Sequence, residues 1–194
     1  EDNGGYLTAA DLAEFKSQIE QPQHITFAGV DVYSCGPWCQ GPVLLQGLRL
    51  LEGYDLKALG HNSAAYAHTV LEALKLAFAD RHHYYGDPNF TDVPMTALLS
   101  DAYSAARREL IRPDQAWPEM PPPGDTVNLT AVARQAGQAA AADSLAPAPS
   151  YDTSYVAVVD RYGNAFSATP SDPCFNMPVV PGTGLAPSSR VSVS

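Results

Sequence analysis

The chain has 194 residues, of which 45% are hydrophobic and 16% are charged, and its formal net charge is −10. This composition is typical of a folded globular protein, and the acidic excess, with no Lys/Arg cluster to offset it, argues against nucleic acid as a partner. No apolar run approaches the roughly 18–20 residues that cross a bilayer, so the sequence predicts no membrane span.

The first predicted elements are a short helix and a hairpin. Thr8-Ala-Ala-Asp11 is a capping-box-like start and predicts a helix through about Lys16. Residues 24–27 and 30–34 alternate with a period of two on either side of Ala28-Gly29. This pattern is typical of two strands joined by a tight turn.

Three further helices are predicted from apolar periodicity and from the residues that start and stop a helix. They cover about residues 43–52, 63–84 and 101–111, and the second should be the longest in the chain. One side of the first helix should be apolar. The side chains expected on that side are Leu44, Leu45, Leu48 and Leu51.

The character of the chain changes over residues 112–150, where prolines frame an alanine-rich patch of weak helical tendency at 131–142. A segment this long is usually a functional or mobile loop rather than core. Beyond it, residues 155–159 and 164–169 are predicted to pair as antiparallel strands around a tight turn. At least one face of this pair should be buried, because its valines and its phenylalanine need a cover.

Two sets of side chains suggest metal or redox chemistry. Cys35 and Cys39 are spaced C-x-x-x-C rather than C-x-x-C, and Cys174 is the only other cysteine, so we predict a structural role in a turn. A redox role for the pair is a remote alternative. His68 and Glu72 share a helix face, but H-E-x-x-H and a third convergent ligand are absent, so no metal site is predicted.

Thr153 stands where the proline- and alanine-rich segment ends and a strand begins. A threonine at a chain start can use its own α-amine, with a pKa of about 7.7–8.0, as the general base for its hydroxyl. This chemistry requires that the bond between Asp152 and Thr153 be cut. Judged by spacing alone, the threonine is an ordinary strand-starting residue.

Several ordered motifs resemble the γ-glutamyltranspeptidase family. Those similar to the second half of its large subunit are Gly4-Gly-Tyr-Leu-Thr-Ala-Ala-Asp-Leu-Ala-Glu-Phe15, Gly53-Tyr-Asp-Leu56, Ala79-Asp-Arg81, Tyr84-Tyr-Gly-Asp-Pro88 and Val93-Pro94. Those similar to the start of its small subunit follow in the same order. They are Thr153-Ser-Tyr, Val158-Val-Asp-Arg-Tyr-Gly-Asn164 and Pro181-Gly-Thr-Gly-Leu-Ala-Pro-Ser-Ser189.

The resemblance implies an α+β fold, the αββα sandwich of N-terminal-nucleophile hydrolases, of which this chain holds a part. It divides the chain into a mostly helical large-subunit-like region (1–111), a processing segment (112–152) and the start of a small-subunit-like region (153–194). It implies that one precursor yields both subunits by cleavage between Asp152 and Thr153. Thr153 would then carry the acyl group as an ester, and Ser171 would occupy the place of a second hydroxyl that hydrogen-bonds the nucleophile.

Two departures from the family pattern concern the substrate. Pro173 stands where the family has a substrate-binding asparagine, and Thr153-Ser-Tyr155 replaces the usual Thr-Thr-His. These departures are similar to the amidohydrolase and acylase branch, so the expected substrate is a γ-glutamyl compound or a related small amide. No cofactor is implied, and no substrate-binding residue is identified, because the resemblance places the family's substrate-binding arginine before Glu1 and its oxyanion donors after Ser194.

Two points stay open at the level of sequence. A truncated or degenerate relative that binds or scaffolds without catalysis would carry the same motifs. The first residues lack the basic and apolar regions of a secretion signal, which leaves the compartment undecided, although the family suggests a periplasmic or secreted protein.

Overall fold

The computed structural model describes residues 8–132, 154–169, 179, 181, 182 and 184. The chain divides into two units, Glu1–Arg134 and Gln135–Ser194. The helices of the first unit are α1 Ala9–Glu14, α2 Gly41–Leu51, α3 Leu56–Leu59, α4 Ala64–Tyr84, α5 Met95–Leu98 and α6 Asp101–Arg108. Its strands are β1 Gln23–Phe27 and β2 Val30–Ser34, and those of the second unit are β3 Val156–Val159 and β4 Ala165–Ala168.

Local sequence signals produce the first elements as predicted. The Thr8 hydroxyl accepts a hydrogen bond from the Asp11 backbone N–H at 3.2 Å, and the Asp11 carboxylate accepts one from the Thr8 N–H at 2.7 Å. This capping box starts α1. β1 and β2 pair antiparallel around Ala28-Gly29, where both residues have positive φ angles of 50° and 80°. Such a turn matches the twist of the two strands that it joins.

α4 is the longest of the described helices, as predicted, and Ser63 caps it by accepting a hydrogen bond from the Tyr66 N–H at 3.0 Å. It packs with α2 around a core cluster of Leu50, Leu51, Ala73 and Leu76. None of the described helices is both long and apolar enough to span a membrane.

The predicted apolar side of α2 is wrong in part. Leu45 and Leu51 are buried, but Leu44 is 53% exposed and Gln46 is 2% exposed. The buried face is centred on positions 43, 46, 47 and 50, which have the spacing of one helix stripe. A polar glutamine belongs to that stripe because it is hydrogen-bonded inside the core, so counting leucines alone misplaces the face.

A functional or mobile loop was expected after α6; residues 112–132 form no helix or strand and most of them are exposed, but hydrogen bonds attach them to the helices at several points. The Trp117 N–H donates to Glu72 and the Gly124 N–H donates to Asp80, each at 3.0 Å. Pro121 and Gly124 are buried. These long-range bonds satisfy backbone groups that a free loop would leave to water. The remainder of the predicted processing segment, 133–152, lies outside the described residues.

β3 and β4 pair antiparallel as predicted, but the expected cover is missing from the described part of their unit. Val156 is 48% exposed, Val158 is 56% exposed and Phe166 is 65% exposed. Among the residues that the structure describes, the two strands form a sheet of two, and neither pairs with a third strand. An apolar pattern predicts that a face is suited to burial, but it does not supply the partner that buries it.

Candidate functional site

The residues that the sequence singles out for chemistry lie outside the described residues: Asp152, Thr153 and Ser171. Their side-chain geometry is therefore not part of the structure, and their roles stay predictions. The described chain resumes at Ser154 and continues through Thr169. The β3–β4 hairpin lies between these two residues. In sequence, its two open ends lead to the predicted residues Thr153 and Ser171.

The hairpin has one unbroken register. Val156 lies opposite Ala168, and Val159 lies opposite Ala165. The same register continues into the turn, where the Asp160 N–H donates to the Asn164 carbonyl oxygen at 2.9 Å. Within the described strands, a register slip of one residue would turn every side chain to the other face, so the pairing fixes which of their side chains share a face.

The turn fixes that register through Asp160. Its carboxylate accepts hydrogen bonds from the N–H groups of Tyr162 at 2.8 Å and Asn164 at 2.9 Å, and from the Asn164 side-chain amide at 2.8 Å. The Asn164 side chain is the main cause that lowers the pKa of Asp160 below its ordinary value. Gly163 closes the turn with a φ angle of 85°, which glycine adopts without steric cost.

A second described feature concerns the chain that runs toward the predicted cleavage bond. Arg107 is 0% exposed and binds backbone carbonyl groups of this segment. One guanidinium nitrogen donates to the Pro122 carbonyl oxygen at 2.9 Å and to the Ala131 carbonyl oxygen at 2.5 Å. Its other terminal nitrogen donates to the Leu76 carbonyl at 3.2 Å and pairs with Asp80 at 3.1 Å. The predicted processing segment is therefore fixed to the helical unit up to about Ala131.

Asp80 is the charged partner that keeps Arg107 in place, and it is 1% exposed. Its carboxylate also accepts from the Gly124 N–H at 3.0 Å and from the Gln46 side-chain amide at 3.1 Å. Burial raises the pKa of Asp80, while the Arg107 guanidinium and these donors act against the rise. A buried carboxylate with a charged partner and two polar donors can remain in the core without water.

The residues considered as metal ligands have structural partners. The His68 ring nitrogen lies 2.7 Å from the Arg112 carbonyl oxygen, and the Glu72 carboxylate accepts from the Lys75 ammonium at 2.6 Å and from the Trp117 N–H at 3.0 Å. Burial acts to raise the pKa of Glu72, but these donors lower it below its ordinary value. Within 8–132 and 154–169, no group of three or more His, Cys, Asp or Glu side chains is arranged to hold a metal ion.

Sequence reasoning missed this buried polar network, although one signal for it was present. Glu72 and Asp80 fall in phase with the apolar residues Ala73, Leu76 and Ala77 on one face of α4, and all five are buried. Charged residues on the buried stripe of a helix indicate internal partners. Two of these partners lie 44 and 45 residues away in sequence, at Gly124 and Trp117, where no sequence pattern predicts them.

Comparison with known proteins assigns the chain to a family. The family model for gamma-glutamyltranspeptidase matches residues 1–191. The chain belongs to the gamma-glutamyltranspeptidase family. It is 35% identical over 188 residues to the acylase ACY 1 proenzyme of Pseudomonas sp. (strain SE83), covering 94% of this chain and 29% of that protein. It is 34% identical over 185 residues to the glutathione hydrolase proenzyme of Escherichia coli (strain K12), covering 94% of this chain and 28% of that protein.

Solved structures agree with this assignment. LmbA2991HD superposes with a TM-score of 0.71 at 40% identity, over 96% of this chain and 31% of that one. Gamma-glutamyltranspeptidase and cephalosporin acylase structures match as well. The chain spans less than a third of the length of the curated relatives it matches. Its helices and small sheets are therefore part of an α+β fold that these family members share.

Proposed function

We propose that the protein containing this chain is a hydrolase and acyltransferase that cleaves itself between Asp152 and Thr153 and then uses Thr153 as its nucleophile. Family membership supports the reaction class, since relatives include a glutathione hydrolase proenzyme and an acylase proenzyme. The word proenzyme in both names fits a precursor that is cut into a larger and a smaller subunit. The completed protein would adopt the αββα sandwich, with residues 1–111 and 112–152 in the larger subunit and 153–194 at the start of the smaller one.

The observation that supports the choice of residues is the register of the β3–β4 hairpin. The described pairing ends at Val156 and Ala168, with Tyr155 and Thr169 outside the strands. If the same alignment were kept over three more positions, past Pro170, which cannot donate a ladder hydrogen bond, Thr153 would lie opposite Ser171. Directly opposed residues in an antiparallel pair point to the same face, with Cβ atoms about 4.5–5.5 Å apart. This is a suitable separation for two hydroxyl groups to share a hydrogen bond.

Hydrogen-bonded and non-hydrogen-bonded pairs alternate along an antiparallel hairpin. Continued to Thr153 and Ser171, this alternation predicts the non-hydrogen-bonded kind, in which the two Cα atoms lie closer together. Asp160 and Asn164 are joined by a backbone hydrogen bond, so every second pair from there is hydrogen-bonded and those between are not. Thr153 and Ser171 would form a non-hydrogen-bonded pair, in which the Cα atoms approach to about 4.5 Å. The backbone amides of this pair would also be free to face a substrate or an oxyanion.

The proposed chemistry has two stages. In the precursor, the Thr153 Oγ attacks the Asp152 carbonyl carbon. The bond from that carbon to the Thr153 nitrogen breaks, and the nitrogen becomes a free amine. The Asp152 carbonyl is then held as an ester on Oγ, which water hydrolyses. In the mature protein, the freed α-amine takes the proton from Oγ as this atom attacks the substrate amide. The amine portion of the substrate departs, and water or an acceptor amine then resolves the Thr153 ester. Ser171 is proposed to donate a hydrogen bond that orients Oγ.

The proposed substrate class is a small γ-glutamyl compound or a related amide. The similarity to a glutathione hydrolase supports the first and the similarity to an acylase supports the second. Pro173 bears on this choice, because proline offers neither a side-chain amide nor a backbone N–H to a substrate. A substrate held by an asparagine at this position in the family would lose that contact here.

Hydrolysis of a chromogenic γ-glutamyl anilide, and of an acyl anilide without the α-amino acid group, tests this proposal on the full protein. Thr153→Ala should abolish both activities. Ser171→Ala should lower kcat by about 10- to 100-fold, as expected for the loss of one hydrogen bond to a reacting group. Ser167→Ala is the matched control, because this exposed serine lies on the same strand, opposite Ala157.

Wild-type activity in Thr153→Ala would disprove the nucleophile. Equal losses in Ser171→Ala and Ser167→Ala would remove the specific role of Ser171. A folded precursor with no activity on either class of anilide would favour the non-catalytic alternative, in which this family member binds or scaffolds.

A further inference from the structure

The turn between β2 and α2 brings two cysteine side chains together. The Sγ atoms of Cys35 and Cys39 lie 2.6 Å apart. Their approach follows from the backbone, because the Cys39 N–H bonds to the Gly36 carbonyl oxygen at 3.4 Å and closes the turn between them. Two thiols held in this way have a high effective concentration toward each other.

The turn is organised by groups outside the cysteine pair. The Glu20 carboxylate, 16 residues upstream, accepts from the Gly36 N–H at 3.0 Å and from the Trp38 indole N–H at 2.8 Å. These donors, the Trp38 side chain first, lower the pKa of Glu20, so it is ionised at neutral pH and its bonds are charge-assisted.

The first residue of α2, Gly41, lies close to both sulfur atoms. The Gly41 N–H donates to the Cys39 Sγ at 3.3 Å. A Cβ atom at Gly41 would lie 2.8 Å from the Cys35 Sγ and would overlap the Ser34 hydroxyl. A side chain at position 41 would therefore force the Ser34 hydroxyl and the Cys35 sulfur to move.

The two thiols differ in access to solvent. Cys35 is exposed, whereas Cys39 is half-buried. Burial, followed by the hydrogen bond with Cys35, raises the pKa of Cys39 to about 11. The accessible Cys35 sulfur is thus the one that meets a reagent from solution, and Cys39 is the sheltered thiol beside it.

We propose that Cys35 and Cys39 are a reversible redox-modification site that closes to an intrachain disulfide joining the end of β2 to the start of α2. The oxidant would be a small-molecule disulfide. The Cys35 thiolate attacks one of its sulfurs, a mixed disulfide forms and the first small thiol leaves. Cys39, on losing its proton, attacks the Cys35 Sγ and releases the second small thiol. The protein loses two electrons and two protons, and the reagent gains them as two thiols.

This site is separate from the chemistry proposed for Thr153 and needs no activity of the enzyme. Closing a five-residue loop is expected to raise the Tm of the protein by several degrees, on the order of 5 °C, because it restricts the unfolded chain. Reduction with a thiol should reverse the shift.

The test uses the full protein equilibrated with mixtures of 2-hydroxyethyl disulfide and 2-mercaptoethanol, neither of which is a γ-glutamyl compound. Remaining thiols are alkylated, and the Cys35 and Cys39 peptides are identified by mass spectrometry. We expect both sites to lose alkylation together and to appear as one linked peptide. Glu20→Gln should make the oxidation constant about tenfold less favourable, as expected from the loss of charge-assisted bonds. Glu14→Gln, an exposed carboxylate of α1, is the matched control and should leave the constant unchanged.

Four results would overturn the proposal: alkylation of both cysteines at every reagent ratio, a mixed disulfide that persists on Cys35, pairing of either cysteine with Cys174, or stoichiometric zinc held by the thiols. A disulfide that forms equally well in Glu20→Gln would retain the site but overturn the role of Glu20 in organising it.

Discussion

Replacing Arg107 with alanine should be among the most damaging single changes in the helical unit. The substitution removes the donor for the Leu76, Pro122 and Ala131 carbonyls and leaves the Asp80 carboxylate, which is 1% exposed, without its cation. Breaking a buried ion pair from one side typically costs about 3–5 kcal/mol, because the remaining charge is buried and unpaired. Since Arg107 also fixes the backbone at Ala131, the same change should release the segment that leads to the proposed cleavage bond.

Urea unfolding of the chain followed by far-UV circular dichroism measures this loss. Arg112→Ala is the control, because its ion pair with Asp114 at 3.7 Å joins side chains that are 61% and 72% exposed and is worth about 0–1 kcal/mol. Adding Asp80→Asn to Arg107→Ala should recover part of the loss by removing the unpaired charge. Equal free energies of unfolding for Arg107→Ala and Arg112→Ala would refute the reasoning, as would unchanged hydrogen exchange at the Gly124 amide.

Two other predictions concern packing and pH. Gly124→Ala should destabilise the protein by about 1–3 kcal/mol in the same unfolding assay, because a Cβ there would overlap Tyr103. Gly47→Ala, whose Cβ would meet its nearest neighbour at an ordinary 3.4 Å within α2, should be neutral or stabilising by up to about 1 kcal/mol, and the reverse order would contradict the packing argument. The β3–β4 turn should keep its full stability above the unfolded pKa of Asp160 and lose it as the pH falls through the lower folded value, since the Asn164 side chain bonds the ionised form. Amide exchange in this turn measures the effect, and Asp160→Asn should remove the pH dependence; a turn that is equally protected at all acidic pH values would contradict it.

Elements that depend on near neighbours in sequence were predictable. The capping box of Thr8 and Asp11 and the Ser63 cap of α4 are bonds between residues three apart, so the sequence contains both partners within one turn. Both hairpins follow from a strand pattern on each side of a glycine-containing turn, and their register was set by those turns.

Features that depend on distant partners were not predictable in the same way. The burial of Gln46 follows from its bond to Asp80, 34 residues away, and two of the bonds that attach residues 112–132, those to Glu72 and Asp80, join residues 45 and 44 apart. The cover expected over Val158 was inferred from an apolar pattern. Such a pattern indicates that a face is suited to burial, but it does not identify the element that would bury it. For the candidate site, the family was predictable from ordered motifs, whereas the roles of Thr153 and Ser171 stay predictions that the described hairpin supports through its register.

N-terminal sequencing of the smaller product of the full-length protein tests the central claim most directly. The account predicts a product that begins at Thr153, an uncut and inactive chain for Thr153→Ala, and slow cleavage at the same bond with partial activity for Thr153→Ser. A product that begins at any other residue, or an uncut protein with full activity, would contradict it and leave Thr153 as an ordinary residue at the start of a strand.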